Sequence, residues 1–135
     1  MINEAKWITL ASLPNMMPRD IKKLNGSAYF RKSFELCEPP IHAELRICGL
    51  GIGVYTINGM PVTDEVLCTP FTRYDKRVIY SKFNVTEHLQ QGGNAIGIYV
   101  GNGFYNNNMK LWNDYMAAWK DNPKAIASLE ITYRR

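Results

Sequence analysis

The hydrophobic pattern of this chain repeats every two residues, the period at which a β-strand places successive side chains on opposite faces. In segment 41–48 every odd position is apolar, and the same alternation, with occasional interruptions, runs through 30–36, 79–85 and 125–133. Segment 94–100 is more uniformly apolar, which is typical of a central strand. No amphipathic segment of useful helical length accompanies them, so the pattern predicts an all-β, antiparallel β-sandwich.

Two glycine-containing segments predict turns between these strands. Asn58-Gly59 lies between the apolar runs 54–57 and 60–62. Asn-Gly accepts the positive φ angles of a type I′ turn, so this pair predicts a two-residue hairpin. The run Gly49-Leu50-Gly51-Ile52-Gly53 superficially resembles a phosphate-binding loop, but the helix and the Lys-Ser/Thr pair of such a loop do not follow it. Between two strands this run predicts a bulge or a tight corner.

Length and charge exclude several classes of protein. The chain has 135 residues, enough for one ordinary domain, and its hydrophobic share of 46% with 21% charged residues excludes a disordered chain, a collagen-like repeat and a membrane span. The formal net charge is +4, and the basic residues are spread from Lys6 to Arg135. Nucleic-acid binders concentrate positive charge on one face, so we predict no nucleic-acid partner.

Cysteine usage and the N-terminal sequence bear on the cellular compartment. Cys37, Cys48 and Cys68 cannot all pair, and without metal-ligand spacing they are interpreted as buried free thiols. Segment 1–10 lacks a basic region followed by an apolar run, so it does not predict a signal peptide. We predict no membrane partner and leave two locations open: the cytoplasm, or a periplasmic or secreted location for which the signal peptide is absent from this sequence.

Two long segments, 11–27 and 102–124, do not fit a strand plan and are predicted to be loops. The second combines several aromatic residues with a cluster of amides, the composition that suits the apolar faces and hydroxyl groups of a sugar. We therefore predict that Tyr105 and Trp112 stack on a sugar and that Asn107 and Asp114 hydrogen-bond to it. The alternative is that these rings only pack the loop onto the sandwich.

Catalytic and metal-binding patterns are not recognisable in the sequence. No spacing singles out two carboxylates as a hydrolytic pair, and neither His42 nor His88 has a nucleophile or a metal ligand beside it. The amides at 106–108 with Asp114 could supply oxygens to Ca²⁺, but a set with one carboxylate makes a poor site. We predict no catalytic residue, no metal and no cofactor in this chain.

Several segments resemble the opening of the jelly-roll domains that are attached to many glycoside hydrolases. These are 28–34 (AYFRKSF), 43–51 (AELRICGLG) and 57–59 (ING). On their own they suit the N-terminal domains of β-galactosidases and β-glucuronidases equally well.

Further motifs make the resemblance more particular. They are 72–80 (TRYDKRVIY), 84–86 (NVT) with Leu89, 93–97 (GNAIG) and, above all, 101–105 (GNGFY). In this order they resemble the N-terminal domain of bacterial α-L-rhamnosidases. The usual family form has Trp where Phe104 stands, a departure that keeps an aromatic ring. The resemblance runs from about Trp7 to Tyr133 and weakens in 11–27.

The resemblance implies a fold and a role. It implies that residues 1–135 form a single galactose-binding-domain-like jelly roll, excised from a larger glycoside hydrolase whose rhamnose-releasing site lies in a separate (α/α)₆ barrel. The expected role is non-catalytic: weak recognition of a rhamnose-containing glycan and packing against the remaining domains of the parent enzyme. Three alternatives stay open. They are a purely structural module, the N-terminal jelly roll of another glycoside hydrolase such as a β-galactosidase, and a self-sufficient small enzyme.

Overall fold

The computed structural model of the chain describes residues 2–10, 27–106, 119 and 121–134. The predicted loop 11–27 therefore lies outside the described residues except for Ser27. The predicted loop 102–124 is described at 102–106, at 119 and from 121 onward.

The described residues form eight strands in two antiparallel sheets. The strands are β1 (Ile8–Thr9), β2 (Ala28–Leu36), β3 (His42–Leu50), β4 (Ile52–Ile57), β5 (Met60–Pro61), β6 (Ser81–Asn84), β7 (Gly92–Gly101) and β8 (Lys124–Thr132). Sheet A has the order β1-β8-β3-β6, and sheet B has the order β2-β7-β4-β5. The prediction of an all-β antiparallel sandwich is confirmed.

Among the described residues, the strands are accompanied by two 3₁₀ turns, Ile2–Glu4 and Thr86–His88. In the part of the chain that the structure describes, no helix is long and apolar enough to cross a membrane.

The core lies between the two sheets and is built from the alternating positions that the sequence pattern indicated. Ala43, Leu45 and Ile47 of β3 are at most 1% exposed. They face apolar side chains of sheet B, among them Ile57 and Val100, which are fully buried. Each large side chain buried in this way contributes roughly 1.5–3 kcal/mol to the stability of the fold. Strand β3 pairs along its whole length with β8, from His42 opposite Thr132 to Leu50 opposite Lys124.

The chain crosses from sheet A to sheet B through a single residue, Gly51. It has a φ of 128°, and a Cβ at this position would lie 1.9 Å from the carbonyl oxygen of Gly101. Glycine is required at position 51 for two reasons: the positive φ of the backbone, and the close approach of the β7 backbone. The tight corner predicted for the Gly49–Gly53 run is thus confirmed.

Tyr55 ties the two sheets together just after this corner. Its ring is 2% exposed, and its hydroxyl accepts a hydrogen bond from the backbone N–H of Gly49 at 2.8 Å. Gly49 belongs to sheet A and Tyr55 to sheet B, so one side chain bridges the core. Burial raises the pKa of Tyr55 to about 12.

The hairpin between β4 and β5 has the predicted two-residue turn. Asn58 and Gly59 have φ angles of 52° and 81°, and Ile57 pairs with Met60 across the turn. Positive φ at both central residues is the type I′ arrangement. The Asn58 side chain also accepts a hydrogen bond from the Ala95 N–H at 2.9 Å, which fastens the turn to β7.

Two details differ from the expectations. The alternation in 79–85 predicted a strand from Ile79, but β6 begins at Ser81 and Ile79 is 42% exposed. The alternation extends beyond the ladder, because β3 pairs with β6 only over Glu44–Ile47. The cysteines were interpreted as buried; Cys48 and Cys68 are, but Cys37 is exposed in the bend that follows β2.

Candidate functional site

The motif Gly101-Asn102-Gly103-Phe104-Tyr105 forms a turn that packs against the corner at Gly51. A Cβ on Gly103 would lie 2.8 Å from the carbonyl carbon of Gly51, so the two glycine-rich segments meet backbone to backbone. Asn106 closes the turn. Its N–H donates to the Asn102 carbonyl at 3.0 Å, and its side-chain amide donates to the Asn102 side chain at 3.1 Å. The turn therefore holds the two aromatic residues inside it in defined positions.

Five aromatic rings at this end of the sandwich form what we call the aromatic cluster: Phe71, Tyr74, Phe104, Tyr105 and Trp119. Tyr74 lies at its centre, with ring centroids 5.8 Å from Phe71, 5.3 Å from Tyr105 and 6.0 Å from Trp119. Phe71 and Phe104 meet at 5.4 Å. All four contacts are edge-to-face, a geometry worth about 0.5–1.5 kcal/mol per pair beyond area burial.

Four rings of the cluster divide into a buried base and an exposed pair, and the fifth, Trp119, is partly buried. Tyr74 and Tyr105 are 8% and 5% exposed and cover the outer side of sheet A with Leu50. Phe71 and Phe104 are 58% and 59% exposed. Tyr74 packs against Phe71, Phe71 packs against Phe104, and the two phenylalanines present apolar ring surface to solvent.

The loop that carries Phe71 is strained. Leu67 and Thr69 have φ angles of 59° and 85°, and a positive φ is a genuine outlier for a β-branched residue such as threonine. The loop is held by the Gly53 N–H, which donates to the Cys68 carbonyl at 3.3 Å. Such strain costs about 1–3 kcal/mol per residue and is found where function requires a particular backbone path.

The structure describes only one of the four predicted sugar-contacting residues. Tyr105 lies inside the aromatic cluster, and burial raises the pKa of its hydroxyl to about 12. In this position its ring packs against Tyr74 and does not face solvent. Asn107, Trp112 and Asp114 lie outside the described residues, so their sugar contacts stay a prediction.

Sequence reasoning missed Phe71 as a surface residue. It lies between Pro70 and Thr72, in a segment without periodicity, so no pattern separates it from a buried loop residue. The one available indication was its position directly before the family-like segment 72–80.

Two described carboxylates have partners that keep them ionised. Asp75 accepts hydrogen bonds from Arg73 at 3.0 and 2.6 Å, and this contact lowers its pKa. Burial alone would raise the pKa of Asp121, but hydrogen bonds from Lys124 and the Asn122 N–H lower it overall. A general acid for glycoside hydrolysis needs the opposite shift. Among the described residues, no group of three His, Cys, Asp or Glu side chains is placed to hold a metal ion.

Sequence comparisons point to one family. The family model for the α-L-rhamnosidase N-terminal domain matches residues 38–135. An α-L-rhamnosidase of Formosa agariphila is 36% identical over 139 residues, covering 93% of this chain and 14% of that protein. An α-L-rhamnosidase of Streptomyces avermitilis is 32% identical over 91 residues, covering 67% of this chain and 9% of that protein.

Solved structures agree with the sequence comparisons. The α-L-rhamnosidase from Dictyoglumus thermophilum matches 96% of this chain with a TM-score of 0.70 and 30% identity, over 13% of its own length. The native enzyme from Aspergillus terreus matches 96% of this chain with a TM-score of 0.78 and 25% identity, over 14% of its own length. The chain spans about one seventh of these relatives. It belongs to the α-L-rhamnosidase N-terminal domain family.

Proposed function

We propose that this chain is a non-catalytic domain of an α-L-rhamnosidase, in which it assists recognition of rhamnose-containing glycans and packs against the other domains of the parent enzyme. The observation that carries the proposal is the exposed pair Phe71 and Phe104, held on a buried aromatic base. Family membership supplies the substrate class, since the relatives are α-L-rhamnosidases.

The expected affinity is low. A ring that covers about 100 Å² of apolar sugar surface contributes roughly 2.5 kcal/mol before entropy costs. Two such contacts with a few hydrogen bonds reach a millimolar Kd, or about −4 kcal/mol. Weak binding of this kind matters when a tethered catalytic domain supplies a high effective concentration.

The same surface also suits contact with another domain of the parent enzyme. Val66 and Leu67 are 84% and 69% exposed on the loop that carries Phe71. Exposed apolar side chains that lie side by side, unlike single scattered ones, mark interaction surfaces in general. Because the relatives are about seven times longer than this chain, most of a parent enzyme would lie outside it.

The test compares variants of Phe104 in ligand-observed NMR with L-rhamnose and a rhamnose-containing oligosaccharide. We expect Phe104→Ala and Phe71→Ala to abolish binding with only a modest drop in melting temperature, because both rings are largely exposed and lose one and two edge-to-face contacts, respectively. Phe104→Trp, which installs the usual family residue, is the matched control and should retain or strengthen binding.

Trp112→Ala tests the sequence-based prediction in the same assay. Lost binding with an intact melt supports a sugar contact for Trp112, whereas a steep drop in melting temperature assigns it to packing. If the unaltered protein gives no saccharide signal, the recognition role is wrong and the structural-module alternative replaces it.

A further inference from the structure

The outward face of sheet B contains a depression whose floor is made of small residues. On this face β7 contributes Gly93 and Ala95, which flank the inward residue Asn94, 4% exposed. Gly97, the next residue on the same face, is buried, and a Cβ there would meet the hydroxyls of Thr56 and Tyr29. The depression has a volume of about 470 Å³. We call it the β7 groove; the residues used below that line it are Arg31, Ser33, Glu35, Gly93 and Ala95.

One wall of the β7 groove consists of hydrogen-bonding side chains on β2. Arg31, Ser33 and Glu35 lie opposite Gly97, Ala95 and Gly93 in the register of the sheet. The Arg31 guanidinium donates to the Ser33 hydroxyl at 2.8 Å, so these two side chains are already oriented. A guanidinium has five N–H donors and a carboxylate only accepts. The wall thus offers both donors and acceptors, which is what sugar hydroxyl groups require.

An aromatic row lies farther along the same outward face of sheet B, beyond Gly97. Tyr99 lies opposite Tyr29 on one side and opposite Val54 on the other. The three side chains are 46%, 59% and 53% exposed, so the row is open to solvent. A Cβ on Gly97 would lie 2.9 Å from the Tyr29 hydroxyl, which shows that the Tyr29 ring leans across β7. Exposed aromatic rings offer the surface on which the apolar side of a pyranose stacks.

Three features favour a glycan over a protein as the occupant. Protein interfaces need a core cluster of large apolar side chains, whereas this face has one short apolar row beside a floor of small residues and a polar wall. Arg31 and Glu35 carry opposite charges, which suits a neutral ligand better than an anionic polymer. Tyr99 and Gly93 are six residues apart on one strand, a span of about 20 Å and longer than a single monosaccharide.

We propose that the β7 groove and the aromatic row beside it bind an extended neutral glycan chain, with one sugar stacked on Tyr29 and Tyr99 and the following sugars along Ala95 and Gly93. This site is separate from the aromatic cluster. The choice of a rhamnose-containing chain as the probe rests on the proposed function, but the groove does not depend on Phe71 or Phe104.

The test is a titration of the full 135-residue chain with L-rhamnose and with a linear, neutral rhamno-tetrasaccharide, followed by ¹⁵N NMR. The tetrasaccharide should shift amide resonances of β2 and β7, and it should bind about tenfold more tightly than L-rhamnose because it fills more of the groove. Tyr29→Ala with Tyr99→Ala should remove this gain, and Tyr29→Phe with Tyr99→Phe should keep most of it.

Gly93→Val is a second variant that leaves the aromatic row intact. No atom lies within 4 Å of a Cβ at Gly93, so the fold should tolerate valine while the far end of the groove is filled. We expect the tetrasaccharide, but not L-rhamnose, to bind more weakly. Tyr80→Ala, which removes a ring that is 40% exposed outside both sites, is the control and should change neither affinity.

The outcomes separate this inference from the proposed function. If Phe104→Ala has no effect but the tetrasaccharide still depends on Tyr29 and Tyr99, the groove stands and the aromatic cluster is not a sugar site. If tetrasaccharide binding is absent, or is unchanged in the double alanine variant and in Gly93→Val, the groove proposal is wrong. Amide shifts confined to 102–106 would also overturn it.

Discussion

The connection between the two sheets depends on single glycine residues. Gly51 makes the corner between β3 and β4, and Gly103 lies against it in the turn that carries Phe104. Both positions are crowded by backbone atoms, which cannot move aside as a flexible side chain can. The conformation of the candidate site therefore depends on two residues that have no side chain.

Gly51→Ala should be among the most destabilising single substitutions in this chain. The added methyl meets the Gly101 carbonyl and the residue keeps a φ that alanine disfavours. Backbone strain costs about 1–3 kcal/mol, and forced displacement of the packed β7 backbone adds a comparable amount. Urea unfolding measures the change in free energy, and Gly93→Ala, with open space at its Cβ, is the control expected to stay near zero. Equal stability of the two variants would contradict this account.

For single residues, the sequence predicted backbone turn conformations better than contacts between residues that are distant in sequence. Asn58-Gly59 and Gly51 were recognisable because local turn chemistry restricts which residues a positive φ accepts. The meeting of Gly51 with Gly101 was not recognisable, since it joins positions 50 residues apart in the sequence. Phe71 was missed for the same reason, because its exposure depends on Tyr74 and Phe104 and not on its neighbours in sequence.

Among the elements, the β4–β5 hairpin is the one whose turn can be tested on its own. Gly59 has a φ of 81° and open space at its Cβ, so valine there would suffer from backbone strain alone. Gly59→Val should cost about 1–3 kcal/mol. The matched control is Gly93→Val, which also has open space but no positive φ, and which should leave the melting temperature unchanged. If the thermal melt of Gly59→Val superimposes on that of the unaltered protein, the type I′ assignment is wrong.

The existence of seven of the eight described strands was predictable, the two-residue β1 was not predicted, and strand ends were less predictable. The alternation reports which side chains are buried, whereas a strand ends where its hydrogen-bond partner ends. Ile79 belongs to the alternating pattern but lies before the β3–β6 ladder begins. For the candidate site, the sequence predicted only a region, the segment 102–124. Of the two exposed rings of the aromatic cluster, Phe104 lies within that segment and Phe71 lies outside it.

For the whole molecule, the buried tyrosine hydroxyls and a buried cysteine thiol predict that the free energy of unfolding falls at alkaline pH. Burial raises the pKa of Tyr55 and Tyr105 to about 12 and that of Cys48 to about 11. The folded state holds these protons more tightly than the unfolded chain, so their contribution is complete below about pH 9 and is lost as pH rises toward 12. For Tyr55 this amounts to about 2–3 kcal/mol.

Urea unfolding at pH 8, 10 and 11 measures this loss. The free energy of unfolding should fall progressively above pH 9. Tyr55→Phe should be less stable at pH 8, because the Gly49 N–H loses its acceptor, but should show a shallower alkaline decline. A decline of the same steepness in both proteins would exclude Tyr55 as a source of the pH dependence.

The isolated chain should not hydrolyse aryl α-L-rhamnosides. Asp75 and Asp121 both have pKa values shifted downward by cationic or N–H partners, the wrong direction for a general acid. A chromogenic assay on the purified chain checks this. Turnover that survives purification and disappears when one Asp or Glu of this chain is replaced would revive the small-enzyme alternative.

The pairing of β3 with β8 has a consequence for biosynthesis. His42 is hydrogen-bonded into a ladder opposite Thr132, 90 positions later in the chain. At about 5–20 residues per second, a ribosome needs on the order of 5–20 s to make the intervening polypeptide. During that interval β3, one of the most apolar strands, has no β8 to pair with. The nascent sandwich would therefore complete sheet A only after its last strand has left the exit tunnel, and the waiting β3 edge is where a chaperone would be needed.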